Sequence, residues 1–490
     1  RARLRTKTGC LTCRQRRKKC DEKTPMCGVC AKIGRKCQWP SFSELLDRRF
    51  ASHDDSRHHT NSSDLESASP TSQDVKSAQR RHQNRDTNSP EPEFIPEYSL
   101  VAESAVTHAV VSHEMPLALS RHFAESYFSL LLLPSCHPDY SNGWLAEIQD
   151  LMISHRSLYF SVLACAASHV HQIDTSTPAQ DLSLTYYTKA TRELSDLLKN
   201  GSKLENHNGL LMSIMLLYLH GCMGVGTYTD IPIHVDAAIR ILRMRLLKRK
   251  ETIHCLFDRL AVESVLYQIF LVSTGLWTQR PGAEYQFDAE FWCQAERLLD
   301  RSEFFPGRPT SLNSPVLGLP ISLFRLAITL RQQYGSGSTP DADVLLQIRD
   351  EVQDCEALLL CEPDVCYQDE GYSLSDKEIC YRDGRLLYAA AISLLFEQIM
   401  VQGVHNTGPP LPVSRHSWQI RRSILILERQ RLSTEWGRFF LGNWPVYTIG
   451  LFLESHDDRA MLRADLRRRW EETKFSQVFR FLQDLEAVWA

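Results

Sequence analysis

From about residue 115 to the end of the chain, apolar residues recur every three or four positions, and strand-type alternation is nearly absent. Leu182, Tyr186, Leu194, Leu197 and Leu198 form one such stripe, and Ile239, Leu242, Leu246 and Leu247 a second. Phe475, Val478, Phe479, Leu482, Leu485 and Trp489 form a third. This is the period of amphipathic helices. Segments near 145–171, 256–277, 319–334, 341–361, 379–402 and 416–431 carry the same signature, so 115–490 is expected to be one large all-α domain. Pro and Gly gather near 278–317 and 403–414, which are read as loops. No fixed repeat length emerges, so a regular helical solenoid is not expected.

Residues 206–229 contain no Asp, Glu, Lys or Arg, but only Leu210–Leu219 is strongly apolar, and Gly221, Gly224 and Gly226 follow. A membrane span needs about twenty apolar residues. A buried helix ended by a glycine turn is expected instead, with no membrane partner. The glycines imitate a phosphate loop only weakly, because they follow a helical pattern and not a strand.

Ahead of residue 115 the periodicity disappears. From Asp55 to Glu93 only Leu65, Ala68, Val75 and Ala78 are apolar among 39 residues. Such a stretch cannot build a core, so 41–114 is read as a largely disordered linker. Phe42, Leu45, Leu46 and Phe50 would make two helical turns, but no heptad pattern continues beyond them. Either the segment before the linker acts alone, or a homodimer forms through the helical body.

That first segment, residues 1–40, holds the candidate chemistry. Cys10, Cys13, Cys20, Cys27, Cys30 and Cys37 read as C-x2-C-x6-C, repeated at an offset of 17 residues. A structural zinc ion takes four ligands in a closed tetrahedron. Six cysteines are too many for one zinc, and two zinc ions need eight ligand positions. Six thiolates suffice only if two bridge both metals, and Cys10 and Cys27, the first of each half, are the natural pair. A disulfide framework wants an oxidising compartment, and no apolar signal-peptide stretch stands near the start. An iron–sulfur cluster normally takes four thiolates and leaves two unexplained. Forty residues bury little core, so the metal is expected to be the core.

Charge adds the partner. Through residue 40 there are 13 Lys and Arg against Asp21 and Glu22, a balance of +11; the whole chain is −3, which leaves −14 for 41–490. A basic head on an acidic body points to nucleic acid. Arginine can donate two parallel hydrogen bonds to guanine in the major groove, while other cations bind phosphates.

The stretch GCLTCRQRRKKCDEKTPMCGVCAKIGRKC resembles the fungal Zn2Cys6 binuclear-cluster DNA-binding domain at all six cysteines, in the basic run, in the Cys-Asp-Glu step and at Pro25. The resemblance implies two zinc ions and a first helix that enters the major groove to read CGG-type triplets. By position, Arg16 and Arg17 would read bases, with Arg14, Lys18 and Lys19 in the same DNA-binding run and Lys19 and its neighbours on phosphates. The body resembles the fungal-specific transcription factor domain in YYTKATRELSDLL at 186–198, in LLMSIMLLYLHGCMG and IHVDAAIRIL within 210–242, in 443–470 and in the closing FLQDLEAVWA. That region is regulatory in the family and lends no catalytic residues.

Other clusters carry less. Arg240, Arg243, Arg245, Lys248, Arg249 and Lys250 are read as favourable charge at a helix C-terminus. Cys355, Cys361, Cys366 and Cys380 lack a C-x2-C pair and are read as buried or idle thiols. No Walker A, HExxH or GxSxG pattern appears, and a filled dizinc core offers no open position, so no enzymatic activity is expected. The expected function is a nuclear, zinc-dependent, sequence-specific regulator of RNA polymerase II genes that binds double-stranded DNA and transcription coregulators. The alternative is a metabolite-sensing helical regulator. EPEFIPEYSL at 91–100 and the C-terminal helix are candidate recruiting segments.

Overall fold

In a computed structural model, the residues described are 10–16, 18–21, 26–38, 115–175, 178–199, 207–224, 226–247, 252–278, 285–307, 310–336, 342–360, 375–402 and 410–490. The chain divides into two compact units, the first ending at Glu93 and the second beginning at Phe94. In the first, two five-residue helices, α1 (Leu11–Gln15) and α2 (Gly28–Lys32), flank a core made of cysteine sulfur.

The second unit is helical throughout its described residues, which contain no named strand and one isolated bridge, Val413 to Leu453. Its first half comprises α3 (Met115–His122), α4 (Pro138–Ser154), α5 (Arg156–Ile173), α6 (Ala179–Lys199), α7 (Asn208–Cys222) and α8 (Ile231–Leu242). Helix α5 packs against α6 and α7, and α7 against α8. Next comes α9 (Leu256–Thr274), whose faces are almost all buried and which touches α4, α7, α8 and the second half. A helix buried on every side belongs inside the core, and this one, which carries its buried Arg259 and Glu263 as a bonded pair, joins the two halves.

The second half comprises α10 (Ala289–Asp300), α11 (Ile321–Ser336), α12 (Ala342–Leu360), α13 (Asp376–Gln402), α14 (Trp418–Gln430), α15 (Asn443–Gly450), α16 (His456–Thr473) and α17 (Ser476–Trp489). Helix α13 is its axis, packed against α11, α12, α14 and α15. By length and composition α13 could cross a membrane, but most of its apolar window is buried inside the body. Local signals set the starts of several helices. Asp288 Oδ1 accepts from Phe291 N–H at 2.9 Å to open α10, and Ser417 Oγ accepts from Ile420 N–H at 3.4 Å to open α14.

Three sequence expectations change. The region 278–317, read as loop, contains α10, which buries Phe291, Trp292, Ala295, Leu298 and Leu299. The single segment 145–171 is two helices, because His155 leaves helical geometry at φ −117 and ψ 96. The C-terminal stripe is not a free recruiting surface: Val478, Leu482 and Leu485 are buried in the body. The second candidate recruiting segment, 91–100, lies outside the described residues, as do the linker and most of the 403–414 loop.

Three further readings can be followed in the described residues. Leu210–Tyr218 is buried in α7 and Leu219 half-buried, and Gly224 and Gly226 take positive φ values of 74° and 77° as the chain turns away. In the basic cluster near residue 245, Arg243 pairs with Asp288 and Arg245 with Asp258, each at 2.6 Å. Those two arginines are committed to the fold; Lys248, Arg249 and Lys250 lie outside the described residues. Cys380 is buried and Cys355 half-buried, whereas Cys361 and Cys366 are also outside.

Candidate metal centre and nucleic-acid interface

The repeat seen in the spacing is a repeat of hydrogen bonds. Cys10 precedes α1 and Cys27 precedes α2. Cys10 Sγ accepts from the Cys13 N–H at 3.3 Å, and Cys27 Sγ accepts from the Cys30 N–H at 3.3 Å. After α1 the Lys18 N–H donates to the Cys13 carbonyl at 3.0 Å; after α2 the Arg35 N–H donates to the Cys30 carbonyl at 3.1 Å. A two-residue gap thus puts two sulfurs on one side of a single helical turn, in both halves.

Contacts around Thr12 tie the halves together. Leu11 N–H donates to the Gln38 carbonyl at 2.7 Å. Thr12 Oγ1 donates to the Lys36 carbonyl at 2.9 Å and accepts from Gln38 N–H at 3.2 Å. These bonds bring the chain after Cys37 back to the first helix.

The six sulfurs form two groups of four: Cys10, Cys13, Cys20 and Cys27 in one, Cys10, Cys27, Cys30 and Cys37 in the other. All ligand atoms within a group lie within 4.8 Å of one another. The two groups share Cys10 and Cys27, the pair expected to bridge. A tetrahedron with zinc–sulfur bonds of 2.3 Å has edges of about 3.8 Å. The Sγ atoms of Cys10 and Cys27 are 3.7 Å apart, those of Cys13 and Cys27 3.6 Å, and those of Cys10 and Cys30 3.8 Å. The donor set therefore fits two tetrahedral ions with a common edge. Cys10, Cys13, Cys27 and Cys30 are fully buried.

Burial pushes the Cys13 thiol up and the Cys30 thiol to about 12, whereas Cys27 falls to about 6. For Cys27 burial acts upward, and the Cys30 N–H with the neighbouring sulfurs outweighs it. A buried thiolate cluster needs a compensating cation, which a bound metal supplies.

The basic run continues from α1. Arg16 follows the last residue of the helix and is half-buried, with its Nη1 unpartnered among the described residues; Lys18 and Lys19 are exposed. Cations here suit the negative end of the short helix. The side chain of Arg14 and all of Arg17 lie outside the described residues. Thr12, which helps order this head, was not singled out from sequence, where it is one polar residue among many; Asp21 was noted only within the Cys-Asp-Glu step and the charge balance, not for its contact with α2.

The fungal Zn(2)-Cys(6) binuclear cluster domain matches residues 8–44, and the fungal specific transcription factor domain matches residues 118–490. Among curated relatives, a transcription activator of Alternaria alternata, AMTR1, is 65% identical over 34 residues, 7% of this chain and 4% of the relative. The transcriptional regulatory protein moc3 of Schizosaccharomyces pombe is 65% identical over 34 residues, 7% of each chain. Transcription factor lfc1 of Flammulina velutipes is 43% identical over 70 residues, 14% of this chain and 25% of the relative. The matches span a quarter or less of these relatives' lengths. No solved structure matches the chain. With a zinc-cluster head and a body matched across three hundred residues and more, the chain belongs to the fungal zinc-cluster transcription regulators, whose head domain binds two zinc ions.

Proposed function

We propose that Cys10, Cys13, Cys20, Cys27, Cys30 and Cys37 hold two zinc ions, with Cys10 and Cys27 bridging. The metal supplies the core that forty residues of chain cannot, and it does no chemistry of its own. Arg16 and Arg17 read CGG-type triplets in a major groove, while Arg14, Lys18 and Lys19 fix the head on phosphates. The protein acts in the nucleus on RNA polymerase II genes. The helical body meets transcription coregulators and, in the absence of a heptad after the cluster, supplies any homodimer contact.

The observation that carries this reading is the pair of four-sulfur groups sharing Cys10 and Cys27, with the basic run lying between Cys13 and Cys20. Random-oligonucleotide selection with the full chain tests it. CGG-type triplets should be enriched, and their number and orientation report whether one head or two bind. Arg17→Ala should lose the preference for CGG over scrambled DNA and keep weak, salt-sensitive binding; an unchanged preference would remove the base-reading role.

A further inference from the structure

Along the outer side of α4 the body carries an open groove. Pro138, Ser141, Leu145, Ile148 and Met152 line it, alternately three and four residues apart. That is the spacing with which one helix receives another. The facing wall is α3 and the short turns after it, through Ser120, Phe123 and Ala124 at one end and Phe128 and Leu132 at the other. Two hollows, of about 290 and 630 Å³, meet at Leu145, which lines both. From Pro138 to Met152 the seam runs about 21 Å at 1.5 Å per residue.

Apolar side chains at this groove stand in solvent among the described residues. Ile153, which lines it, is 89% exposed, and Leu117, one turn before Ser120, is 64% exposed. A continuous apolar strip on a protein surface marks an interaction site. The rim is mainly acidic. Glu125, Asp139 and Asp150, each next to a lining residue, are exposed, and Glu378 lines the far end. Asp139 also faces His137 Nδ1 at 3.5 Å. Against these acids stand Arg121 and Lys377, and Lys377 Nζ donates to the Pro134 carbonyl at 2.9 Å. The stretches of this chain that precede the groove-forming Met115 and Ser375, 91–114 and 361–374, hold nine Asp and Glu and no Lys or Arg. Charge therefore argues against either as the occupant.

We propose that this groove receives an amphipathic helix of a partner protein, about four turns long, with its apolar stripe in the α4 seam and Lys and Arg on its flanks. This rests on the reading that the body meets coregulators, and gives that contact a place and a chemistry. Burial of the stripe supplies affinity, as in other helix-in-groove contacts. The acidic rim selects among helices with the same stripe, because acid-flanked ones meet like charge.

Titration of the full chain with a synthetic helix of about 18 residues tests this. One peptide carries a leucine stripe at three-four spacing with lysine flanks; the control has the same stripe with glutamate flanks. At physiological salt the lysine peptide should bind saturably, about tenfold more tightly than the control, and slow hydrogen exchange in α3 and α4. Replacing both exposed apolar side chains, Leu117→Ser with Ile153→Ser, should weaken it about tenfold and leave the fold intact. Leu432→Ser, at an 84% exposed position after α14, should change nothing. Asp150→Lys should weaken the lysine peptide and strengthen the control. Equal binding of the two peptides, protection confined to other helices, or an unchanged affinity in the double variant would each overturn the proposal. Self-association of the chain that the double variant abolishes would overturn it in favour of a second copy. No DNA enters the measurement, so its failure leaves the DNA-binding role of the head untouched.

Discussion

The backbone N–H of Gly28 donates to both carboxylate oxygens of Asp21, each at 3.0 Å. This bond pins the residue after Cys20 to the first turn of α2. A Cβ at position 28 would sit 2.7 Å from Asp21 Oδ2. Glycine is therefore needed for approach and not for its backbone angles. Because the carboxylate is the free end of an exposed side chain, alanine would push it aside and lose the bond.

A double-mutant cycle follows from that contact. Gly28→Ala should weaken zinc retention by about 1 kcal/mol, the value of one partly exposed hydrogen bond. In an Asp21→Ala background the same change should be neutral or slightly favourable, since alanine suits a helix better than glycine. Competition for zinc with a chelator of known affinity measures both; equal losses in the two backgrounds would show that the contact is not what alanine disturbs.

Removing the metal should unfold the head and leave the body standing. The core of the head is cysteine sulfur, while the body has its own continuous apolar core. A zinc chelator should abolish DNA binding and leave the helical circular dichroism signal and the body's thermal transition in place. Re-addition of zinc should restore DNA binding.

Glu263 should be among the most sensitive positions of the body. Buried on α9, it accepts from Arg259 Nε at 2.8 Å, Ser314 Oγ at 2.6 Å, Val316 N–H at 3.0 Å and Leu317 N–H at 3.1 Å. One carboxylate thus holds both a buried cation and the loop leading into α11. Glu263→Ala should cost about 3–5 kcal/mol, the range for breaking a buried ion pair, as read by urea unfolding.

Acid should destabilise the body before carboxylate titration is complete. His220 is fully buried between Ser183 Oγ at 2.6 Å and Thr227 Oγ1 at 2.8 Å. Burial, then the neighbouring His234, hold it at about 3; burial first also holds His169 and His234 at about 4. These rings stay neutral in the fold and protonate near 6.5 when unfolded, so the unfolded chain binds more protons. Their contribution is complete above pH 6.5 and is lost as the pH falls toward 4. Each adds about 1.4 kcal/mol per pH unit in that window. Urea unfolding between pH 7 and 5 should show the slope, and His220→Gln should reduce it by one proton.

The head was legible in sequence because sulfur spacing translates directly into geometry: a C-x2-C pair on one helical turn leaves little choice. The helices of the body were legible as stripes, since burial on one face imposes the period. Helix α10 was hidden by its surroundings. Asp288 and the run Phe291, Trp292, Ala295, Leu298, Leu299 carry the full signal, but the prolines and glycines on either side outweighed it. At the break, His155 Nδ1 lies 2.8 Å from Ser154 Oγ and 3.1 Å from the Leu151 carbonyl, contacts that a histidine inside a continuous helix pattern does not advertise. Its ring meets His207 edge-on, with Nε2 atoms 3.2 Å apart, a partner 52 residues away. The groove was beyond sequence for the same reason, as its lining runs from Ser120 to Glu378.

The last helix closes the body. Asp484 accepts from the N–H groups of Trp277 at 2.8 Å and Thr278 at 3.1 Å and from the Tyr447 hydroxyl, and Trp489 Nε1 donates to the Gly450 carbonyl at 2.9 Å. Deleting residues 476–490 would remove only 15 residues. Genetically it would behave as a loss-of-function allele of the whole regulatory region and not as a trimmed version of it, and an internal epitope would be a safer tag than one that replaces these residues.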